Sequence, residues 1–200
     1  MKTPNRSRPE PGKTGKRVIF IDRDGVINKD PGGWTEYNYV TRWKDFHFIR
    51  GSKAAVRKLN RAGYYCIVIS NQAGVSKGHY SENRLRAINS RMLKEIKKSG
   101  GKIRSAYYCI HQDSDNCGCR KPKTGLVRLA ERNLGIAARG AYFIGDSRVD
   151  VEAGKKAGMR TVLVLTGKTS VKDLNKWKIK PDLVFKDLSE AVDFILSPSP

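Results

Sequence analysis

Two hundred residues carry forty Lys and Arg against nineteen Asp and Glu, a formal charge of +21. A chain of this length can bury one sizeable core, and its apolar residues, 38% of the total, fall into clear runs that argue against global disorder. No run is long enough to span a membrane, and the polar, basic stretch from Met1 to Arg17 lacks the apolar segment of a secretory signal.

Residues 1–16, rich in Pro, Gly, Lys and Arg, read as a flexible basic arm, and residues 17–197 as one domain. Its first element is Val18-Ile19-Phe20-Ile21, a buried parallel strand that runs straight into Asp22-Arg23-Asp24-Gly25. The abrupt change marks the strand's C-terminal end, where open α/β sheets place their ligands. Two carboxylates there suit a divalent cation, although an acidic surface turn would look the same. Residues 29–48 are rich in Gly, aromatics and charge without a sustained period, which predicts a structured loop with a short hairpin over the carboxylates. Trp34, Tyr37, Tyr39 and Trp43 fit a substrate wall and fit the loop's own packing equally well.

Ala55, Val56, Leu59 and Ala62 form the apolar face of a helix over 51–62, ended by Gly63. Residues 65–69 form a second buried strand that stops at Ser70-Asn71-Gln72. Ser81 and Glu82 open a long helix to about 99, with Leu85, Ile88, Met92, Leu93 and Ile96 inward. A third strand covers 103–110, followed by a polar cysteine-bearing loop at 109–119 and a helix over 124–134, for which Pro122 offers a start. A strand over 140–144 meets Gly145-Asp146-Ser147. A helix over 149–157, a strand over 161–165, a helix over 171–177, a strand over 183–185 and a helix over 188–196 complete the chain. Strands alternating with helices at this spacing predict a parallel sheet covered on both faces. Three strands end in reactive polar groups, so Asp22 and Asp24, Ser70 and Asn71, and Asp146 are expected to meet at one sheet edge.

Asp22, Asp24 and Asp146 around one point would repel each other unless a cation intervened, and oxygen ligands of this kind suit Mg²⁺. Asp22 could then attack phosphorus, giving an aspartyl-phosphate that water hydrolyses. Asp24 points the other way along an extended backbone, so its carbonyl would meet the ion and its carboxyl would serve as acid and base. Ser70 offers a hydroxyl to phosphate, and Lys121 supplies fixed positive charge for a phosphoryl oxygen. Asp150, one helical turn past Asp146, could orient Lys121 or a metal-bound water. Cys109, His111, Cys117 and Cys119 match a tetrahedral structural zinc set, with disulfides as the competing account. A filled set of four leaves no open position for catalysis, and such an ion would pin the loop that carries Arg120 and Lys121. His47 and His79 read as surface or packing residues, and Cys66 as core.

Charge of this size concentrates any anion: phosphorylated metabolite, nucleic acid or acidic lipid. The cations are spread along the chain without an arginine-rich block, an RNA-binding aromatic motif or a recognition helix. Small phosphorylated substrates therefore account for the charge as well as a nucleic-acid-binding or end-processing role does. Nucleic acid is the less favoured partner and is not excluded.

Asp22-Arg23-Asp24-Gly25-Val26-Ile27-Asn28, Ser70-Asn71-Gln72-Ala73-Gly74-Val75, Arg120-Lys121-Pro122 and Gly145-Asp146-Ser147-Arg148-Val149-Asp150 resemble the four ordered motifs of the haloacid dehalogenase superfamily of phosphatases. The Cys/His insertion narrows the likeness to the group that holds heptose-bisphosphate and histidinol-phosphate phosphatases. The resemblance covers residues 17–196. It implies a cytoplasmic, Mg²⁺-dependent phosphomonoesterase with a Rossmann-like three-layer α/β/α core, no large cap and a small zinc-binding loop. The implied substrate is a small phosphorylated sugar handled by a monomer: D-glycero-D-manno-heptose 1,7-bisphosphate losing its 7-phosphate, with histidinol phosphate or another sugar phosphate as the alternative. In that setting Asp22 is the nucleophile, Asp24 the acid/base, Ser70 and Lys121 the phosphate clamp. Asp146 completes the magnesium site, Arg120 contacts the sugar phosphate, and Asn28 and Asn71 lie near the substrate. The chain departs from that group in the short spacer of five residues between His111 and Cys117, and in Pro31-Gly32-Gly33-Trp34 after the first motif.

Overall fold

The computed structural model describes residues 17–197, so the arm expected over 1–16 lies outside the described residues. The elements run β1 (Arg17–Ile21), α1 (Ser52–Arg61), β2 (Tyr64–Asn71), α2 (Glu82–Lys98), β3 (Ile103–Cys109), α3 (Gly125–Leu134), β4 (Tyr142–Gly145), α4 (Arg148–Lys156), β5 (Arg160–Val164), α5 (Val171–Leu174), β6 (Leu183–Phe185) and α6 (Leu188–Leu196). All pairings are parallel, in the order β3-β2-β1-β4-β5-β6.

That order follows from crossover handedness. The chain steps outward from β1 through β2 to β3, then returns past β1 and steps the other way through β4, β5 and β6. Right-handed crossovers in opposite directions place their helices on opposite faces. Ile19, Ile21, Cys66, Val68 and Ile144 pack with α1, α2 and α6 on one face, while Phe20, Ile67, Ile69 and Phe143 pack with α3 and α4 on the other. Alternate residues of one strand thus feed two cores, which is why the strands read as unbroken apolar runs. Ser81 caps α2 by accepting the Arg84 amide, and Leu85, Ile88, Met92 and Ile96 are its buried stripe.

Three local expectations differ from the structure. Residues 29–48 hold no hairpin, only an isolated bridge from Asn28 to Phe48 and a 3₁₀ turn at Trp43–Asp45. Their backbone is held instead by aromatic packing, with Trp43 stacked on Phe46 and Phe46 edge-on to Phe48. Pro122 lies in a turn closed by the Lys123 amide on the Arg120 carbonyl (2.8 Å), and α3 begins only at Gly125. The helix expected over 171–177 stops at Leu174, where the Trp177 amide bonds the Leu174 carbonyl in a tighter turn. Among the described residues no helix is long and apolar enough to cross a membrane.

Candidate active site

Between β1 and β4 the order of connections reverses, and the loops leaving these two strands part to opposite faces, opening a crevice. Asp22 follows β1 and Asp146 follows β4. The Asp22 amide bonds the Ile144 carbonyl (2.9 Å), tying the two strand ends together. Ser70 and Asn71 end the neighbouring β2. The resulting cavity, about 680 Å³, is lined by Asp22, Asp24, Ser70, Asn71, Lys121 and Asp146, with Arg120, Arg148 and Lys168 at its mouth.

Asp22 is only 8% exposed. One carboxylate oxygen, Oδ1, accepts from the Arg23 amide at 2.7 Å and lies 3.0 Å from the Lys121 ammonium, leaving Oδ2 for the cavity. Burial pushes the Asp22 carboxyl up to about 6; Lys121 opposes the shift, and Asp150 and Asp24 add to it. Asp146 is raised well above the carboxylate range for the same reason, burial first and then the Asp150 and Asp22 charges. It is held by the Lys168 amide at 2.8 Å. Gly25, at φ 77°, and Gly167 pass so close that a Cβ on either would collide with the Asp146 carboxylate.

Lys121 is the hub. Its ammonium contacts Asp150 at 2.6 Å, Asp22 at 3.0 Å and the Ile69 carbonyl at 3.0 Å. Burial works against this charge, yet Asp150 and Asp22 together hold its pKa above the ordinary lysine value. Asp150 works with both oxygens, one on Lys121 and the other accepting from the Ser147 amide and hydroxyl at the start of α4. The Asn71 amide grips the Lys121 backbone on both sides, accepting from its N–H (3.0 Å) and donating to its carbonyl (3.1 Å). Carboxylate oxygens of Asp22, Asp146 and Asp150 lie within 4.8 Å of one another, an all-oxygen set of the kind that hard divalent cations prefer.

Asp24 turns its carboxylate away from that cluster. It accepts from the Arg23 guanidinium (2.9–3.1 Å), from Asn28 Nδ2 (2.8 Å) and from Gln72 Nε2 (2.7 Å). Arg23, Asn28 and Gln72 are each wholly buried, and Gln72 also donates to Ser70 Oγ (3.2 Å) while accepting from Tyr80 (2.8 Å). Asn28 does not line the cavity. Of the loop aromatics, Tyr39 lines it, Tyr37 stacks on His79 (4.4 Å), Trp34 packs by His47 and Trp43 belongs to the core.

The cysteine loop closes as a compact knot. Sulfur atoms of Cys109, Cys117 and Cys119 lie 3.2–3.6 Å apart, with His111 Nδ1 3.3 Å from Cys119 and 3.7 Å from Cys109. These separations are far beyond a disulfide bond of about 2.05 Å, and the four cysteines are free. They are close to the edges of a tetrahedron with metal–sulfur bonds of about 2.3 Å. Arg120, next in sequence, is anchored to Asp113 of the same loop (2.7 Å).

Sequence reasoning assigned no role to Arg23, Gln72 or Lys168. A signal existed for Lys168: Thr166-Gly167-Lys168-Thr169 is another polar break after an apolar strand, the same pattern that flagged Ser70 and Asp146. Arg23, flanked by two acids, could have been read as their counter-charge. Gln72 left no local trace.

A parallel sheet whose switch point gathers aspartates around a buried lysine fits the phosphatase superfamily that the four motifs resemble. Known proteins agree. A HAD-hydrolase-like family model matches residues 118–191. The chain is 35% identical to a D-glycero-beta-D-manno-heptose-1,7-bisphosphate 7-phosphatase of Pseudomonas putida, covering 86% of this chain and 95% of that one. It is 34% identical to an alpha-anomer counterpart of Photorhabdus laumondii, covering 76% and 84%. The crystal structure of D,D-heptose 1,7-bisphosphate phosphatase from B. bronchiseptica, complexed with magnesium and phosphate, superposes with a TM-score of 0.82 at 29% identity, covering 90% and 98%. The chain therefore belongs to the haloacid dehalogenase-like phosphatase family.

Proposed function

We propose that this protein is a Mg²⁺-dependent phosphomonoesterase that removes the 7-phosphate of D-glycero-D-manno-heptose 1,7-bisphosphate through an aspartyl-phosphate. The observation that carries the chemistry is the free Oδ2 of Asp22, beside a buried lysine and two further aspartates. The relatives' substrates support the choice of sugar. Asp22, Asp146 and the Asp24 carbonyl would hold Mg²⁺, which when bound supplies positive charge to the phosphoryl oxygens. Lys121 and Ser70 bind the remaining oxygens, and Asn71 keeps Lys121 in place.

Asp22 Oδ2 forms a bond to phosphorus as the bond from phosphorus to the sugar oxygen breaks, and that oxygen takes the proton of the Asp24 carboxyl. Asp24, now a carboxylate, removes a proton from the water that attacks the aspartyl-phosphate. Phosphate leaves, and both aspartates return to their starting states. Arg120 would meet the second phosphate. Cys109, His111, Cys117 and Cys119 would hold a structural Zn²⁺ that fixes the loop beneath Arg120.

The test is phosphate release, with and without Mg²⁺, from both heptose bisphosphate anomers, histidinol phosphate and simple sugar monophosphates. Heptose bisphosphate should be preferred by kcat/KM, and Asp22→Asn should abolish turnover while the fold melts normally. Preference for histidinol phosphate would overturn the substrate, and appreciable activity in Asp22→Asn would overturn the nucleophile.

A further inference from the structure

The charge of +21 is not spent at the catalytic mouth. The cavity lining holds four Lys and Arg against seven Asp and Glu. The mouth cations are already engaged: Arg120 with Asp113 at 2.7 Å, Arg148 with Glu152 at 3.6 Å, Lys168 with Asp30 at 3.9 Å. Attraction of a phosphorylated sugar therefore does not explain the composition.

One concentration of cations lies on the opposite rim. In a parallel sheet with helical crossovers, strand starts and helix ends share one edge, away from the ligand edge. α1 carries Arg57, Lys58 and Arg61 towards its C-terminal end and no acid, and α2 ends in Lys97 and Lys98. β3 is entered through Lys102 and Arg104, and β1 starts at Arg17. Contacts join these into one surface. The Lys102 amide bonds Asn60 Oδ1 (2.6 Å) and Arg57 Nη1 bonds the Ser99 carbonyl (3.1 Å), linking the ends of α1 and α2. The Arg104 guanidinium lies 5.8 Å from the Tyr65 ring, and that of Arg17 lies 5.2 Å from Tyr64. Lys58 and Lys98 have acidic partners, Asp193 and Glu95. Arg61, Lys97, Lys102 and Arg104 are exposed and form no ion pair among the described residues. Cations at helix C-termini complement the helix dipole, which accounts for Arg61 and Lys97. It does not account for Lys102 and Arg104, which open a strand. The sequence before Arg17 holds Lys2, Arg6, Arg8, Lys13 and Lys16 with Glu10.

We propose that this rim is a docking surface for the phosphodiester backbone of a nucleic acid. A single phosphate would be satisfied by two or three donors, whereas these cations form a row from β3 to β1, roughly 10 Å across two strand spacings. That length reaches more than one phosphate of a strand, as recognition of a continuous phosphodiester backbone requires. Tyr65 is the large hydrophobic group exposed on this face, too little apolar area for insertion into a lipid surface.

The test uses the full chain and a fluorescein-labelled duplex DNA, read by anisotropy over a range of salt, beside vesicles containing phosphatidylglycerol. One triple variant reverses the rim (Arg61→Glu, Lys102→Glu, Arg104→Glu), and a control reverses the same charge on the other side (Lys44→Glu, Arg84→Glu, Lys172→Glu). The rim variant should weaken DNA binding at least about tenfold and flatten the slope of log K against log salt by about 2–3, at roughly 0.9 per lost phosphate contact. Its phosphatase turnover should be unchanged, and the control should lose far less affinity. A Gln version of the rim triple gives the same reading if the Glu version melts early. Equal losses in both triples, absence of wild-type binding at physiological salt, or a rim effect confined to the vesicles would each overturn the proposal.

Discussion

Replacing Lys121 with Met keeps the volume of the side chain and removes the ammonium that contacts two of the three buried aspartates. Its Nζ lies 2.6 Å from Asp150 and 3.0 Å from Asp22, and the lysine is 3% exposed. At an effective dielectric of about 20 each contact is worth about 6 kcal/mol of attraction, most of it offset by the desolvation of both partners. What remains on breaking such a pair from one side is about 3–5 kcal/mol, because the other charges stay buried without a partner. K121M should therefore lose about that much stability in metal-free buffer at neutral pH. The sign of its pH dependence is fixed. Without the lysine, carboxyls that burial already raises go higher, the folded state takes up more protons than the unfolded one, and the deficit shrinks on acidification. Turnover should fall by about 100- to 1000-fold, the usual loss when a preorganised transition-state charge is removed. Asp150→Asn added to K121M should restore much of the stability and none of the turnover, since it removes the stranded acid but supplies no cation. Urea unfolding at two pH values and phosphate release check both halves. Wild-type stability of K121M at neutral pH, or recovery of turnover in the double variant, would refute the reading of Lys121 as the hub.

Metal binding should compete with protons. With the Asp22 carboxyl at about 6, roughly a tenth of it is ionised at pH 5 and nine-tenths at pH 7, so Mg²⁺ affinity by calorimetry should be at least about tenfold weaker at pH 5; an unchanged affinity would show that Asp22 is not a ligand. For the metal-free fold the sign is opposite, since a raised carboxyl pKa adds stability in full below the ordinary value of 3.8, and that contribution is lost as pH rises from there to about 6. If the knot holds the proposed zinc, the protein should carry about one equivalent by atomic absorption and Cys117→Ser should lose it. Because Arg120 and Lys121 follow the knot directly, kcat/KM should drop by about a hundredfold through misplacement alone. Full activity in metal-depleted Cys117→Ser would separate the knot from the site.

Much of the site was legible because strand termination is a local event. Ile21 to Asp22, Ile69 to Ser70 and Ile144 to Asp146 each show an apolar run meeting polar groups, and the parallel topology obliges those ends to converge. α6 and β6 were equally plain, since their apolar stripes are short and sharply bounded. The aromatic loop was not, because Trp43, Phe46 and Phe48 stack on one another across irregular backbone, and no period encodes such contacts.

The Asp24 environment escaped for a different reason. Arg23 is adjacent in sequence, but Gln72 comes from β2 and Tyr80 from the loop beyond it, so their hydrogen bonds depend on tertiary register. Four donor nitrogens on one carboxylate fix its position. The leaving oxygen must therefore be brought to that fixed group, and binding energy on the far half of the substrate can be used to place it. Within the proposed reaction, a bisphosphate gripped at Arg120 has such a handle, and a plain sugar monophosphate lacks one. The difference should appear in kcat as well as in KM, and equal kcat for the two classes would remove the need for that coupling.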